Sequence, residues 1–129
     1  MKRPVILLLT NDNRLEDLVA HALSEIGGVS HLARNPNEAL ETVCGVPNLD
    51  LAIVDFEHGP HGMTLLRAIN AVCRQLPVIA ITGDDESHVA TVTACTHGAA
   101  ACLAKPVSAI QLVSAIRELG RFEPELAPA

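Results

Sequence analysis

The sequence predicts an α/β domain built on a five-stranded parallel sheet with helices on both faces. Three observations carry that prediction. Short, continuous apolar runs alternate with stretches whose apolar residues recur at helical spacing. The runs are uninterrupted rather than alternating, as in strands covered on both faces. Five such pairs fit within about 120 residues, the order expected of repeated strand–helix units.

Residues 4 to 9, PVILLL, form the first strand; Leu15, Leu18, Val19, Ala22, Leu23 and Ile26 then mark a helix that Gly27-Gly28 closes. Residues 29 to 33 make a weaker second strand. Asn35 and Pro36 supply a cap and a first-turn proline for a helix through about Cys44, and the turn at 45 to 48 leads into LDLAIVD. Leu65, Leu66, Ile69, Val72 and Leu76 mark a third helix ended by Pro77, before the strand VIAIT at 78 to 82. Residues 87 to 97 form a fourth helix stopped by Gly98, with Thr91, Thr93 and Thr96 lowering its propensity. The small-residue run AAACLA, 99 to 104, is the last strand. Ser108 and Gln111 then form a capping box for a helix carrying Leu112, Val113, Ile116 and Leu119. The domain extends over 1–121, and 122–129, with two prolines and no periodicity, reads as a tail or the start of a linker.

Composition narrows the function classes. A chain of 129 residues with 49 % hydrophobic residues and only two aromatics has an aliphatic core. The net charge of −6 and the dispersed lysines and arginines argue against direct nucleic-acid binding. No apolar run is long enough to span a membrane and no signal peptide is visible, which points to the cytoplasm. Cys44, Cys73, Cys95 and Cys102 show no metal-ligand spacing and read as thiols of the core or its margin.

Parallel sheets gather functional groups at the carboxyl ends of their strands. Those ends carry Thr10-Asn11-Asp12-Asn13, Asp55, Thr82-Gly83 and Lys105-Pro106. If the first and third strands are neighbours, Asp12 or Asn11 approaches Asp55, and such oxygens suit a hard cation such as Mg²⁺. Thr82 and Lys105 would face the same carboxylate, a set able to hold a phosphoryl group with Asp55 as the nucleophile. Singly, each residue has an ordinary reading as a turn, cap or loop residue; their joint placement on four strand tips favours a site.

These features resemble the receiver domain of two-component response regulators. The resemblance runs over 4 to 120, with LPVIAIT and A-x-x-KP as its most specific pieces. It implies a flavodoxin-like (βα)5 fold with strand order 2-1-3-4-5. It also implies roles: Asp55 as phosphoacceptor, Thr82 as switch hydroxyl, Lys105 as the phosphate-contacting lysine, often followed by a cis bond to proline. Mg²⁺ would be held by Asp12, Asp55 and the backbone carbonyl of Glu57, with Asn11 as a further candidate. The implied partners are a histidine kinase or phosphotransfer protein, a downstream effector domain or protein, and a second copy in a homodimer. The module would not be an enzyme beyond self-catalysed phosphotransfer and dephosphorylation.

Several positions depart from the family pattern. Thr10 and Asn11 stand where two adjacent acids are usual, with Asp12 one place later, which removes charge from the cation site. The loop after Asp55 is one residue short, and Cys102 replaces the aromatic switch residue. His58 and His61, with Glu57 or Asp55, form an alternative transition-metal set, although Gly59-Pro60 between them favours a plain polar loop. The alternatives to phosphorylation at Asp55 are a pseudo-receiver that signals by binding alone and, less favoured for want of a Gly-rich phosphate loop, a nucleotide or flavin binder.

Overall fold

The computed structural model describes residues 4–46, 48–56, 61–73, 75–82 and 98–120. Its elements are β1 (Val5–Leu9), α1 (Asn13–Ile26), β2 (Val29–Ala33), α2 (Pro36–Gly45), β3 (Leu51–Asp55), α3 (His61–Val72), β4 (Val78–Thr82), β5 (Ala101–Ala104) and α4 (Ala109–Gly120). The strands form one parallel sheet in the order β2-β1-β3-β4-β5. This is the flavodoxin-like winding expected from the sequence. The expected helix over 87 to 97 and the tail at 122 to 129 lie outside the described residues.

Because successive strand residues point to opposite faces, each strand feeds two cores. Ile6, Leu8, Leu51, Ile53, Ile79 and Ile81 pack under α1 and α4, against Leu15, Val19, Leu112 and Ile116. Leu7, Leu9, Ala52, Val54 and Val78 pack on the other side with Ala39 of α2 and Leu65, Leu66 and Ile69 of α3. Every residue of β3 and β4 is buried. β2 lies at the sheet edge, and Val29 and Leu32 there are 44 % and 37 % exposed, which explains its weaker apolar pattern.

Local chemistry sets the element ends. Gly27 ends α1 at φ 74, the left-handed conformation that favours glycine, and its N–H returns to the Leu23 carbonyl. The Asn35 side chain accepts from the Glu38 N–H at 2.9 Å, and the Glu38 carboxylate accepts from the Arg34 N–H at 2.8 Å. Ser108 and Gln111 form the reciprocal capping box: Ser108 N–H donates to Gln111 Oε1 at 2.9 Å and Gln111 N–H to Ser108 Oγ at 3.1 Å.

The third helix differs from expectation. It stops at Val72, and Leu76 lies beyond it in a turn closed by its N–H on the Cys73 carbonyl. A residue just before proline is driven out of the helical region, so Leu76 could not continue the helix into Pro77. It is buried all the same, whereas Val72 is 59 % exposed.

Ile53, fully buried at the centre of the sheet, tests this packing. Ile53→Ala should lower the unfolding free energy in urea by about 2–5 kcal/mol. Ile110→Ala, at a site 79 % exposed, should change it by no more than about 0.5 kcal/mol.

Candidate functional site

Strand parity carries Asp55 to its position. It continues the row of Leu51 and Ile53 toward α1 and α4, and it pairs in register with Ile81 of that same core. Its side chain has no exposed surface. A carboxylate so enclosed is costly unless donors compensate it. Among the described residues two do, from the ends of two other strands. The Thr10 hydroxyl, immediately after β1, donates to Asp55 Oδ2 at 2.6 Å. The Lys105 ammonium, immediately after β5, donates to the same oxygen at 3.1 Å.

Asp12 completes the cluster. It is the N-cap of α1, with Oδ1 accepting from the Arg14 N–H at 2.9 Å. Its other oxygen, Oδ2, accepts from Lys105 at 2.8 Å, so one ammonium spans two carboxylates. The backbone N–H of Asp12 donates to Thr10 Oγ1 at 2.9 Å. The hydroxyl therefore accepts from α1 and donates to β3. Exposure rises outward through the cluster, from 0 % for the Asp55 side chain to 16 % for Lys105 and 27 % for Asp12.

Thr82 is fully buried at the tip of β4, and among the described residues its hydroxyl donates to the Leu103 carbonyl at 3.5 Å. Asn11 is exposed, and its amide donates to the Arg34 carbonyl at 3.2 Å. The structure thus brings Asp12, Asp55 and Lys105 together, sets Thr82 on the adjoining strand end, and engages the Asn11 amide outside the cluster. Glu57 lies outside the described residues. So do His58 and the side chain of His61, the alternative metal set. The Lys105-Pro106 bond is cis.

Two parts of the cluster escape sequence reasoning. Thr10 reads only as a missing acid, yet its hydroxyl holds the Asp55 carboxylate. Arg34 donates to the Thr10 carbonyl at 3.3 Å and to Glu16 at 3.1 Å, buttressing the end of β1. The cap role of Asp12 had a signal, an aspartate just ahead of the helical apolar pattern; the partners of Thr10 and Arg34, far apart in the chain, had none.

The donor set fits Mg²⁺ in kind. That ion takes hard oxygens, commonly one or two carboxylates with several waters. Asp12 and Asp55 supply two carboxylates, but Lys105 already bridges them, and Thr10 adds no charge. Beside them a groove of about 560 Å³ opens, lined in part by Asp12, Arg14, Leu15, Lys105 and Pro106.

A doubly wound five-stranded sheet with an acid–lysine cluster at its carboxyl edge defines a class of flavodoxin-like signalling modules. The sequence matches the model of the response regulator receiver domain over residues 6–117, and the chain belongs to that family, a phosphoacceptor module of two-component signalling rather than a classical enzyme. The receiver domain of NtrX from Brucella abortus is similar at 26 % identity and TM-score 0.82, over 92 % of this chain and 99 % of that one. A response regulator receiver domain protein from Clostridium thermocellum is similar at 25 % identity and TM-score 0.81, over 96 % and 99 %. Against a longer NtrX chain from Brucella abortus the match, at 24 % identity and TM-score 0.83, covers 97 % of this chain and 29 % of that one. A search of curated proteins finds no sequence relative. Among the described residues no helix is long and apolar enough to cross a membrane.

Electrostatics of Asp12 give a test. The hydrogen bond from Lys105 lowers its carboxyl below the ordinary 3.8, the backbone N–H groups of Arg14 and Leu15 add to this, and burial opposes them. The folded state therefore binds this proton less readily than the unfolded chain. The stabilisation is complete above 3.8 and is lost as pH falls through the lowered folded value. Asp12→Asn keeps a good N-cap while removing the charge. Its destabilisation, measured by urea unfolding, should be constant near neutral pH and shrink as pH is lowered through that range.

Proposed function

We propose that this receiver domain accepts a phosphoryl group on Asp55 from a histidine kinase or phosphotransfer protein, and that the modification changes a protein-interaction surface. A receiver domain implies a histidine kinase as partner. What supports it most is the buried Asp55 carboxylate, held at the carboxyl edge by Lys105 with Thr82 on the adjoining strand tip.

The chemistry is positioning and charge. An oxygen of Asp55 attacks the phosphorus of the donor phosphohistidine; the P–N bond breaks, and the imidazole nitrogen takes the electron pair and a proton from solvent. Lys105 moves from carboxylate to the transferred phosphoryl oxygens, and Thr82 gives up its long bond to Leu103 to donate to them. Mg²⁺, typical of this family, would be held by Asp12 and Asp55, with the Glu57 carbonyl as a third ligand and Asn11 a more distant candidate; when bound, it neutralises phosphoryl oxygen charge. The groove at Arg14, Leu15 and Pro106 admits the donor. An effector domain or protein, or a second copy, reads the altered surface. The setting is the cytoplasm, residues 1–121 act as one unit, and 122–129 are a tail or the start of a linker.

A second reading has a specific observation behind it. The carboxylates are already bridged by Lys105 and hydrogen-bonded by Thr10, where the family usually supplies further acid. That arrangement suits a pseudo-receiver that signals by binding alone. Incubation with a small acyl phosphate and Mg²⁺ separates the two. Intact-mass analysis should show one added phosphoryl group, absent in Asp55→Asn, and beryllofluoride with Mg²⁺ should shift the amide spectrum. An unlabelled chain with an unchanged spectrum leaves the pseudo-receiver.

A further inference from the structure

Thr10 occupies an unusual position: 2 % exposed, it touches the acceptor carboxylate itself. Its hydroxyl has one proton, and its oxygen already accepts from the Asp12 N–H. The proton is directed at Asp55 Oδ2, 2.6 Å from the hydroxyl oxygen. Lys105 donates to that same oxygen. With Oδ1 bonded to phosphorus, Oδ2 is the carbonyl oxygen of the acyl phosphate and keeps the Thr10 donor beside it.

We infer that Thr10 is a catalytic residue for the loss of the phosphoryl group, shortening the lifetime of phosphorylated Asp55. The inference rests on the phosphorylation reading above. In hydrolysis a water oxygen bonds to phosphorus, the P–Oδ1 bond breaks, and its electron pair returns to the Asp55 carboxylate. Both water hydrogens leave with the phosphate as H₂PO₄⁻. Negative charge thus develops on the carboxylate, where the Thr10 proton already points. A donor fixed in advance on the atom that gains charge lowers that barrier. The same bond is weaker to an ester carbonyl than to a carboxylate, so Thr10 favours the unphosphorylated form. Arg34, bonded to the Thr10 carbonyl, and the N-terminus of α1 hold the hydroxyl in place.

The test uses the 129-residue chain, labelled with acetyl phosphate and Mg²⁺, desalted, and followed by intact mass. Thr10→Val keeps the shape and removes the donor; Thr10→Ser keeps the donor. The valine variant should hold its phosphoryl group roughly three to ten times longer than the unsubstituted protein, the difference between a charge-assisted and a neutral hydrogen bond. The serine variant should decay at the unsubstituted rate. Should the valine variant fail to fold by circular dichroism, Thr10→Ala against Thr10→Ser gives the same contrast. Equal decay with and without the hydroxyl overturns the role of Thr10 and leaves the phosphorylation reading standing. Failure of the unsubstituted protein to take any label overturns both.

Discussion

The arrangement at the carboxyl edge depends on one constraint: a carboxylate at the end of β3 has its side chain wholly enclosed and must be compensated from elsewhere in the chain. Removing such a charge from water costs several kcal/mol, and the cost is met only by well-directed donors. Thr10 and Lys105 come from strands on opposite sides of β3, and β4 lies between β3 and β5. The long lysine stem has to cross the end of β4, which a shorter cation could not do. Sheet order and site therefore go together: a winding that separated β1 or β5 from this edge would take the Thr10 or the Lys105 donor from Asp55.

That constraint reaches the helices as well. Asp12 caps α1 and shares Lys105 with Asp55, so the start of α1 and the segment leading into α4 are tied by one ammonium. Both helices cover the same face, packing Leu15 and Val19 beside Leu112 and Ile116 over β1, β3 and β4. The aliphatic core fixes the helices laterally. The cluster fixes their ends. Asp55 is thus linked directly to both ends, through Thr10 and Lys105.

Much of this was legible because it is written locally. The continuous apolar runs specify doubly covered strands, and the Asn35-Pro36 and Ser108–Gln111 caps operate within three residues. Asp55, Thr82 and Lys105 could be gathered because strand ends in a parallel sheet share one edge. Leu76 was misplaced because its hydrophobicity serves the core from a turn, not from a helix, and periodicity cannot distinguish those. The Thr10–Asp55 bond joins residues 45 apart in sequence, and a lone threonine gives no sign of which carboxylate it will meet. Asn11, beside it, looked equally placed for the site, yet its amide engages the Arg34 carbonyl.

Cys102, half-buried on β5 in register with Ala80, stands by resemblance where receiver domains usually carry the aromatic side chain that passes their signal. The cluster offers another course under the proposed phosphorylation. When Oδ2 changes from carboxylate oxygen to the carbonyl oxygen of an acyl phosphate, its hold on the Thr10 proton weakens, and Thr10 in turn anchors the Asp12 N–H at the start of α1. Lys105 is drawn toward the phosphoryl oxygens and away from Asp12. Both contacts that tie Asp12 into the site slacken together, leaving it attached through the cap alone. The response is then delivered at the start of α1 and at the turn into α4, beside the groove they share, and needs no ring to report it.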